Sequence, residues 1–289
     1  MSFANVHIVE LLLKHGASPH VTDKNGMDAL MLACTLGRTQ NVEFWLSRFK
    51  DWNINQGNTV NGSTALHCAV YFGQNKIETV RALVESGNAS LDVRSHNGAS
   101  VLYSAVDSCD SNVDVVRYLL TKSLIYGVNH RRQAQTFKWK SILRLSRALL
   151  QTGAVKSGLF ADLASWSGST PLKVAAQRGD AEVVEILLEH GADPSMKNDL
   201  GCDVFSYCEA FPGIRSAMKR LQMEGRNNEG ETTLRKLSKI NTTSTVTRTK
   251  TIALQRRLST ATSSKYGMYL LNLITMLDLF GSATSRKEN

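Results

Sequence analysis

The sequence predicts an all-α solenoid built from repeated helix pairs, and three observations on the 289-residue chain carry that prediction. A glycine opens five similar segments, and the intervals between those glycines are 36, 36, 70 and 33 residues. A residue able to cap a helix stands two positions after each glycine. A small side chain follows five positions after that cap. A fixed period in this range is the signature of stacked repeat units, none of which can bury its apolar face alone.

Each unit is predicted to begin with a short first helix. The opening glycines are Gly26, Gly62, Gly98, Gly168 and Gly201. The capping residues are Asp28, Thr64, Ser100, Thr170 and Asp203. The small residues are Ala33, Ala69, Ala105, Ala175 and Cys208. A small side chain at this position lets the neighbouring helix approach closely, and Pro171 occupies the first helical position that proline favours.

A second helix follows in each unit. Apolar residues recur at three- and four-residue spacing in segments such as 113–120 and 183–188, as one buried helix face requires. The opening segment 9–19 has the form of a second helix with no first helix before it. It is either part of a repeat array that begins further upstream or a short terminal cap formed by residues 5–15.

Two segments carry a resemblance to a known family. Residues 168–180, GSTPLKVAAQRGD, followed by 189–194, EHGADP, resemble a near-consensus ankyrin repeat, and residues 62–69, GSTALHCA, resemble the same motif. The resemblance covers roughly 1–122 and 168–222. It implies antiparallel helix pairs joined by projecting hairpin fingers and stacked into a curved solenoid. It also implies that partners bind at the finger tips and on the concave face of the first helices.

The central segment 123–167 breaks the period, because the interval from Gly98 to Gly168 is about two units long. Residues 148–154 parallel residues 186–192, which favours a degenerate repeat with its second helix near 138–151 and its first helix eroded. The alternative is an insertion. The predicted body therefore consists of repeats over 1–122, this central segment, and repeats over 168–223, of which the last is a degenerate cap.

The net charge of +9 lies in the irregular segments, since 123–167 and 224–289 each carry +6 while the repeats are close to neutral. The central segment interleaves aromatic Phe137 and Trp139 with a predicted basic patch of Arg131, Arg132, Lys138, Lys140, Arg144 and Arg147. Such a patch can bind nucleic acid or anionic lipid, or it can be a solvated face whose apolar side packs on the repeats.

The C-terminal tail is predicted to divide into three parts. Residues 224–265 are rich in Ser and Thr, lack acidic residues from 232 onward, and are expected to be a disordered linker. This linker contains Ser259 after two arginines, a possible phosphorylation site. Residues 266–281 form an amphipathic helix that docks on the solenoid or binds a partner or membrane surface, and 282–289 are a disordered end.

The sequence predicts no active site, no metal site and no cofactor, so the chain is not expected to be an enzyme. His67 and Cys68 are adjacent, but both belong to the repeat motif. The five cysteines lack zinc-ligand spacing and indicate free thiols. No signal peptide or membrane-spanning segment is recognisable, which predicts an intracellular and cytoplasmic location.

The leading hypothesis is a monomeric protein-interaction scaffold or adaptor. The predicted contact residues at the fingers are Asn61, His96, Asn97 and Asp199. Those in the groove are Tyr71, Phe72, Gln177 and Arg178, of which the two aromatic residues are the best candidates for a binding hot spot. The alternatives are an electrostatic binder of nucleic acid or anionic membrane through 123–167 and the tail, and a regulatory fragment of a larger signalling enzyme or channel.

Overall fold

A computed structural model describes residues 5–73, 76–108, 112–122, 127–153, 158–207 and 211–224. The predictions for Ser259, the tail helix and the residues around them fall outside these ranges. A π-helical segment, Ala82–Ser86, continues the fifth helix, and a 3-10 turn, Val204–Tyr207, precedes the last one. The helices are α1 Val6–Lys14, α2 Ala29–Thr35, α3 Thr39–Arg48, α4 Ala65–Phe72, α5 Lys76–Arg81, α6 Val101–Val106, α7 Val113–Leu120, α8 Phe137–Gln151, α9 Gly158–Trp166, α10 Pro171–Arg178, α11 Ala181–Glu189 and α12 Pro212–Glu224.

The predicted capping residues begin the first helices. The Asp28 carboxylate accepts a hydrogen bond from the Met31 backbone N–H at 2.7 Å, at the start of α2. Thr64, Ser100 and Thr170 each accept from the N–H three residues further on. These contacts satisfy backbone donors that have no partner within the helix, so each first helix begins where the sequence predicts.

The helices form two layers. First helices α2, α4, α6 and α10 pack side by side, and α3, α5 with its π segment, α7 and α11 pack behind them. The predicted small residues of the first four units are at most 2% exposed. They lie within one continuous apolar core that runs from α1 to α12. The expected all-α repeat solenoid is confirmed over the described residues.

The central segment leaves the stack instead of adding a unit to it. Helix α6 packs directly on α10 and α7 packs on α11, while α8 and α9 pack mainly on each other. Two backbone hydrogen bonds of 2.8 Å bring the two ends of this segment together. They run from the Arg132 N–H to the Ser169 carbonyl and from the Gly168 N–H to the Arg132 carbonyl. We call residues 134–153 and 158–167 the insertion, because they lie outside the stack of helix pairs; this packing favours an insertion over a degenerate repeat.

The insertion lies outside the stack because it has a second, small core of its own. The apolar residues of α8, Trp139 and Leu143, are buried against Leu163 of α9 and form a cluster separate from the main core. A helix that packs on a partner within the insertion has the same apolar period as one that packs on the stack. The period predicted α8 but could not say which surface covers it.

The last unit is predicted to be a degenerate cap. Its described residues contain a 3-10 turn where the other units have a first helix, and Asp203, just before that turn, accepts a hydrogen bond from the Ser206 backbone N–H at 3.2 Å. Helix α12 covers α11, where Ile214 is buried and Arg220 Nε lies 2.6 Å from a carboxylate oxygen of Glu185.

We call the turn before each first helix a finger. In the third finger, Gly98 has a φ of +85°, and a Cβ atom there would collide with the backbone of Gln133. Both the left-handed conformation and the close approach of the next segment require glycine at this position.

Replacing Gly98 with alanine is expected to destabilise the protein by about 3 kcal/mol, because the conformational cost adds to a backbone collision. Gly191 provides the matched control, since its φ is +82° and no atom lies within 4 Å of a Cβ built there. Gly191→Ala should cost only about 1 kcal/mol. Urea unfolding measures both values, and equal losses would contradict the close packing of the finger on Gln133.

Candidate partner-binding surfaces

Neighbouring fingers are joined by backbone hydrogen bonds. The His96 N–H donates to the Asn61 carbonyl at 2.6 Å, and the Asp199 N–H donates to the Ser167 carbonyl at 3.0 Å. The side chain of Asn61 accepts from the Ser63 N–H, and the ring of His96 lies against Gly62. Three of the predicted finger residues are thus part of a hydrogen-bonded ladder that fixes the fingers relative to one another.

Asn97, a predicted finger contact, is bonded within its own turn. It is only 9% exposed, and its Oδ1 accepts from the Ser95 hydroxyl at 2.7 Å and from the Ala99 N–H at 3.2 Å. These bonds close the finger turn and leave little of the side chain exposed.

The predicted groove residues differ in how far they are exposed. Phe72, at the end of α4, is 46% exposed and meets the half-buried Tyr71 edge to face, with ring centroids 4.6 Å apart. Gln177, another predicted contact residue, is only 4% exposed, and its Oε1 lies 3.5 Å from Lys173 Nζ. Arg178 is half-buried and donates through Nη1 to the Asp107 carbonyl at 3.2 Å, which links α10 to the end of α6.

Two residues of the predicted basic patch, Arg131 and Arg147, pair with one acid while their side chains stay partly exposed. Asp199 accepts from Arg131 Nη2 at 3.2 Å, from Arg147 Nη2 at 3.0 Å and from the Ser167 hydroxyl at 2.6 Å. We call these four residues the Asp199 cluster. It joins the insertion to the finger of the fifth unit, and it neutralises part of the charge that the sequence assigned to a surface.

Arg132, another residue of the predicted basic patch, is buried. Its guanidinium carbon lies 4.0 Å from the centroid of the Trp166 ring and 4.8 Å from that of the Tyr103 ring. Its Nε donates to the Asn97 carbonyl at 3.3 Å, and the residue is buried. The cation therefore packs between an aromatic ring of the insertion and one of α6.

The basic surface that remains lies on α8. Lys138, Lys140 and Arg144 are exposed, as the patch predicted. Phe137 is 82% exposed beside them, whereas Trp139, the other interleaved aromatic residue, is buried in the core of the insertion. The exposed basic surface of α8 therefore has an apolar component.

His67 and Cys68 are both buried, and the ring of His67 forms hydrogen bonds that stabilise the repeat. Nε2 of His67 donates to the Ala99 carbonyl at 3.3 Å, and Nδ1 accepts from the Thr64 N–H in a capping box, an arrangement that requires the neutral ring. Burial lowers the pKa of His67 to about 4. Burial also raises the pKa of the Cys68 thiol to about 12, which leaves it without thiolate character near neutral pH.

One surface feature was missed by the sequence analysis. A cavity of about 530 Å³ lies beside the first finger, and its walls include Phe49 and Trp52. The His20 ring stacks on the Trp52 ring at 5.0 Å, with 10° between the planes. The signal was the group of aromatic residues at 45, 49 and 52, whose rings contact one another in the structure.

Two classes of site have no candidate in the described part of the chain. No group of three or more His, Cys, Asp or Glu side chains there could hold a metal ion. None of the helices described above has the length and apolar character needed to cross a membrane.

Family models match most of this body and omit the insertion. A model described as "Ankyrin repeats (3 copies)" matches residues 1–89 and 41–133, and a model described as "Ankyrin repeat" matches 167–199. The unmatched stretch between them, 134–166, coincides with the segment that α8 and α9 occupy.

Several known proteins are similar to this chain. The B-cell lymphoma 3 protein homolog of Mus musculus is 32% identical over 62% of the chain, and the nuclear factor NF-kappa-B p105 subunit of Gallus gallus is 21% identical over 47%. Zygote-specific protein 3 of Chlamydomonas reinhardtii is 34% identical over 28% of the chain. The chain spans only 38%, 14% and 20% of the length of these relatives, respectively.

A solved structure shows the same fold. The ankyrin repeat domain of Bcl-3, described as a unique member of the IkappaB protein family, is 25% identical with a TM-score of 0.51. The match covers 74% of this chain and 76% of that one.

The buried neutral His67 predicts a stability that falls with acidification. The folded-state pKa of about 4 lies below the ordinary value of 6.5, so unfolding takes up a proton between these values. Between pH 7.5 and pH 5 this group should lower the free energy of unfolding by about 2 kcal/mol. In His67→Gln, urea unfolding should show a smaller loss over the same interval. An unchanged pH dependence would contradict the neutral buried ring.

Removing the acid of the Asp199 cluster should loosen the insertion selectively. Asp199→Ala is expected to lower the free energy of unfolding by about 1 kcal/mol, since the ion pairs are partly exposed. It should also speed amide hydrogen exchange in α8 and α9 more than in α4. Glu189→Ala, which removes an exposed acid of α11, is the control. Unchanged exchange in the insertion would show that the cluster does not hold it.

Proposed function

The chain belongs to the ankyrin-repeat family, and on that premise we propose that it is a non-enzymatic scaffold that binds another protein through its fingers and its first-helix face. The family membership supports a binding role because repeats of this kind build an extended, rigid surface. The buried neutral His67 and the protonated Cys68 thiol support the absence of nucleophilic chemistry at the one adjacent His–Cys pair.

The exposed ring of Phe72 is the observation that carries this proposal. An aromatic side chain that is 46% exposed on a short, capped helix has little conformational freedom to lose on binding. Its edge-to-face contact with Tyr71 holds it in place. Aromatic residues fixed in this way are frequent hot spots of protein interfaces.

The proposed site consists of predicted contact residues that are not fully buried. Tyr71, Phe72 and Arg178 lie on the first-helix layer, and Asn61 and His96 lie on adjoining fingers. The alternative of a regulatory fragment of a larger signalling enzyme or channel uses the same binding surface. It differs from the scaffold only in having a further domain attached to the solenoid. The relatives suggest NF-kappa-B subunits as the first named proteins to test as partners, because one relative is itself such a subunit.

The electrostatic alternative is weakened by the geometry. Arg131 and Arg147 are paired with Asp199, and Arg132 is buried between rings. Binding of nucleic acid or anionic membrane would now depend on the exposed cations of α8 and on the tail, whose 66 residues from 224 carry a net charge of +6. Such binding would weaken steeply with salt.

Truncation of the aromatic pair should remove the partner. Full-length protein is used in proximity labelling and pull-down, with NF-kappa-B subunits included among the candidates. The double variant Tyr71→Ala/Phe72→Ala should weaken binding of the specific partner by about 30-fold, the effect of losing a hot spot worth about 2 kcal/mol. Glu43→Ala, exposed on the second-helix layer, is the control. Capture of the same proteins at equal affinity by both variants would contradict the proposed site.

A further inference from the structure

The exposed face of α8 combines large apolar and basic side chains. Phe137 and Leu145 are 82% and 57% exposed, and Lys140 and Arg144 are exposed beside them. Phe137 and Arg144 are seven residues apart, which is two helical turns, so both lie on one side of the helix. The opposite side, with Trp139, is buried in the core of the insertion.

This face is held in a fixed position. The Asp199 cluster ties Arg147 of α8 to the fifth finger, and the Arg132 cation lies between Trp166 of α9 and Tyr103 of α6. The Gln135 N–H donates to the His96 carbonyl at 2.8 Å just before α8 begins. A surface fixed at three points does not pay the ordering cost of a mobile loop when it binds.

The charge of the face is of one sign. The insertion contains a single acidic residue, Asp162 on α9, and none occurs in α8. In the described part of the chain, neither Lys140 nor Arg144 forms an ion pair. Within the predicted basic patch, Arg131 and Arg147 pair with Asp199 of the fifth finger, on the side that contacts the stack. The outward charge therefore remains available to an acidic ligand.

We propose that the exposed face of α8 binds an acidic segment of a partner protein, with apolar side chains of that segment covering Phe137 and Leu145. This inference rests on the proposed scaffold function and adds a second contact surface to it. The cations provide long-range attraction and register, and the two apolar side chains provide the area removed from water.

The distribution of side chains favours a protein over nucleic acid or membrane. A nucleic-acid backbone would pair with Lys140 and Arg144 but offers no apolar counterpart for Leu145. A membrane-surface helix places a continuous apolar stripe toward the lipid. In α8 the residues between Phe137 and Leu145 on the exposed side include Ser141 and Arg144, and the continuous apolar side faces α9.

The test is a selection of random peptides displayed on phage against the full-length chain, followed by fluorescence anisotropy with the enriched peptides. Enriched peptides should be acidic with large apolar residues. Their affinity should fall about tenfold in Phe137→Ala and about tenfold in Lys140→Gln/Arg144→Gln. Because all three side chains are exposed, circular dichroism and urea unfolding should remain unchanged. Val21→Ala and Lys24→Gln/Lys50→Gln, which alter an exposed apolar side chain and two exposed cations elsewhere, should bind the enriched peptides normally.

Several results would overturn the inference. They are the absence of any enriched peptide, enrichment of neutral or basic peptides, and equal binding by the α8 variants. Tighter binding of single-stranded DNA or of vesicles containing phosphatidylserine, lost in the same variants, would assign the face to another class of ligand. If Tyr71→Ala/Phe72→Ala releases the partner while the α8 variants retain both partner and peptides, the inference fails and the proposed function stands. If the peptides depend on α8 but no partner depends on Tyr71 and Phe72, the proposed groove fails instead.

Discussion

The close packing of the first helices on one another is the constraint from which the rest of the molecule follows. Helices α2, α4, α6 and α10 approach closely because Ala33, Ala69, Ala105 and Ala175 stand at their contacts. Each contact buries the apolar face of one unit against the next, which no single unit can do alone. A larger side chain at any of these alanines would separate two helices and open the core on both sides.

The same constraint decides where the insertion lies. Because α6 lies next to α10, helices α8 and α9 lie outside the first-helix layer and pack on each other around Trp139. The polar contacts then fix that body to the stack, with Asp199 and Arg132 as the central residues. A buried cation between two rings costs desolvation, and cation–π attraction offsets part of that cost. The insertion is thus held against the stack, and the exposed face of its helix α8 is basic and apolar.

The two surfaces proposed for binding differ in physical character. The Tyr71–Phe72 pair belongs to the repeat scaffold and contributes aromatic area. The α8 face belongs to a segment that the ankyrin family models do not match, and it combines charge with apolar area. Charge governs the rate and register of association, while apolar area and good packing determine how long the complex lasts. A partner that contacted both surfaces would gain specificity from the segment particular to this chain.

The sequence by itself determined the repeat fold, the capped starts of the first helices and the position of α8, because these depend on local spacing. Only the tertiary structure decided that Asn97, Gln177 and Arg132 are buried and that Arg131 and Arg147 share Asp199. Arg131 and Asp199 are 68 residues apart, and Tyr103 and Trp166 are brought to Arg132 from two different helices. A local pattern specifies which face of a helix is apolar. It does not specify what covers that face, because the covering surface comes from a distant part of the chain.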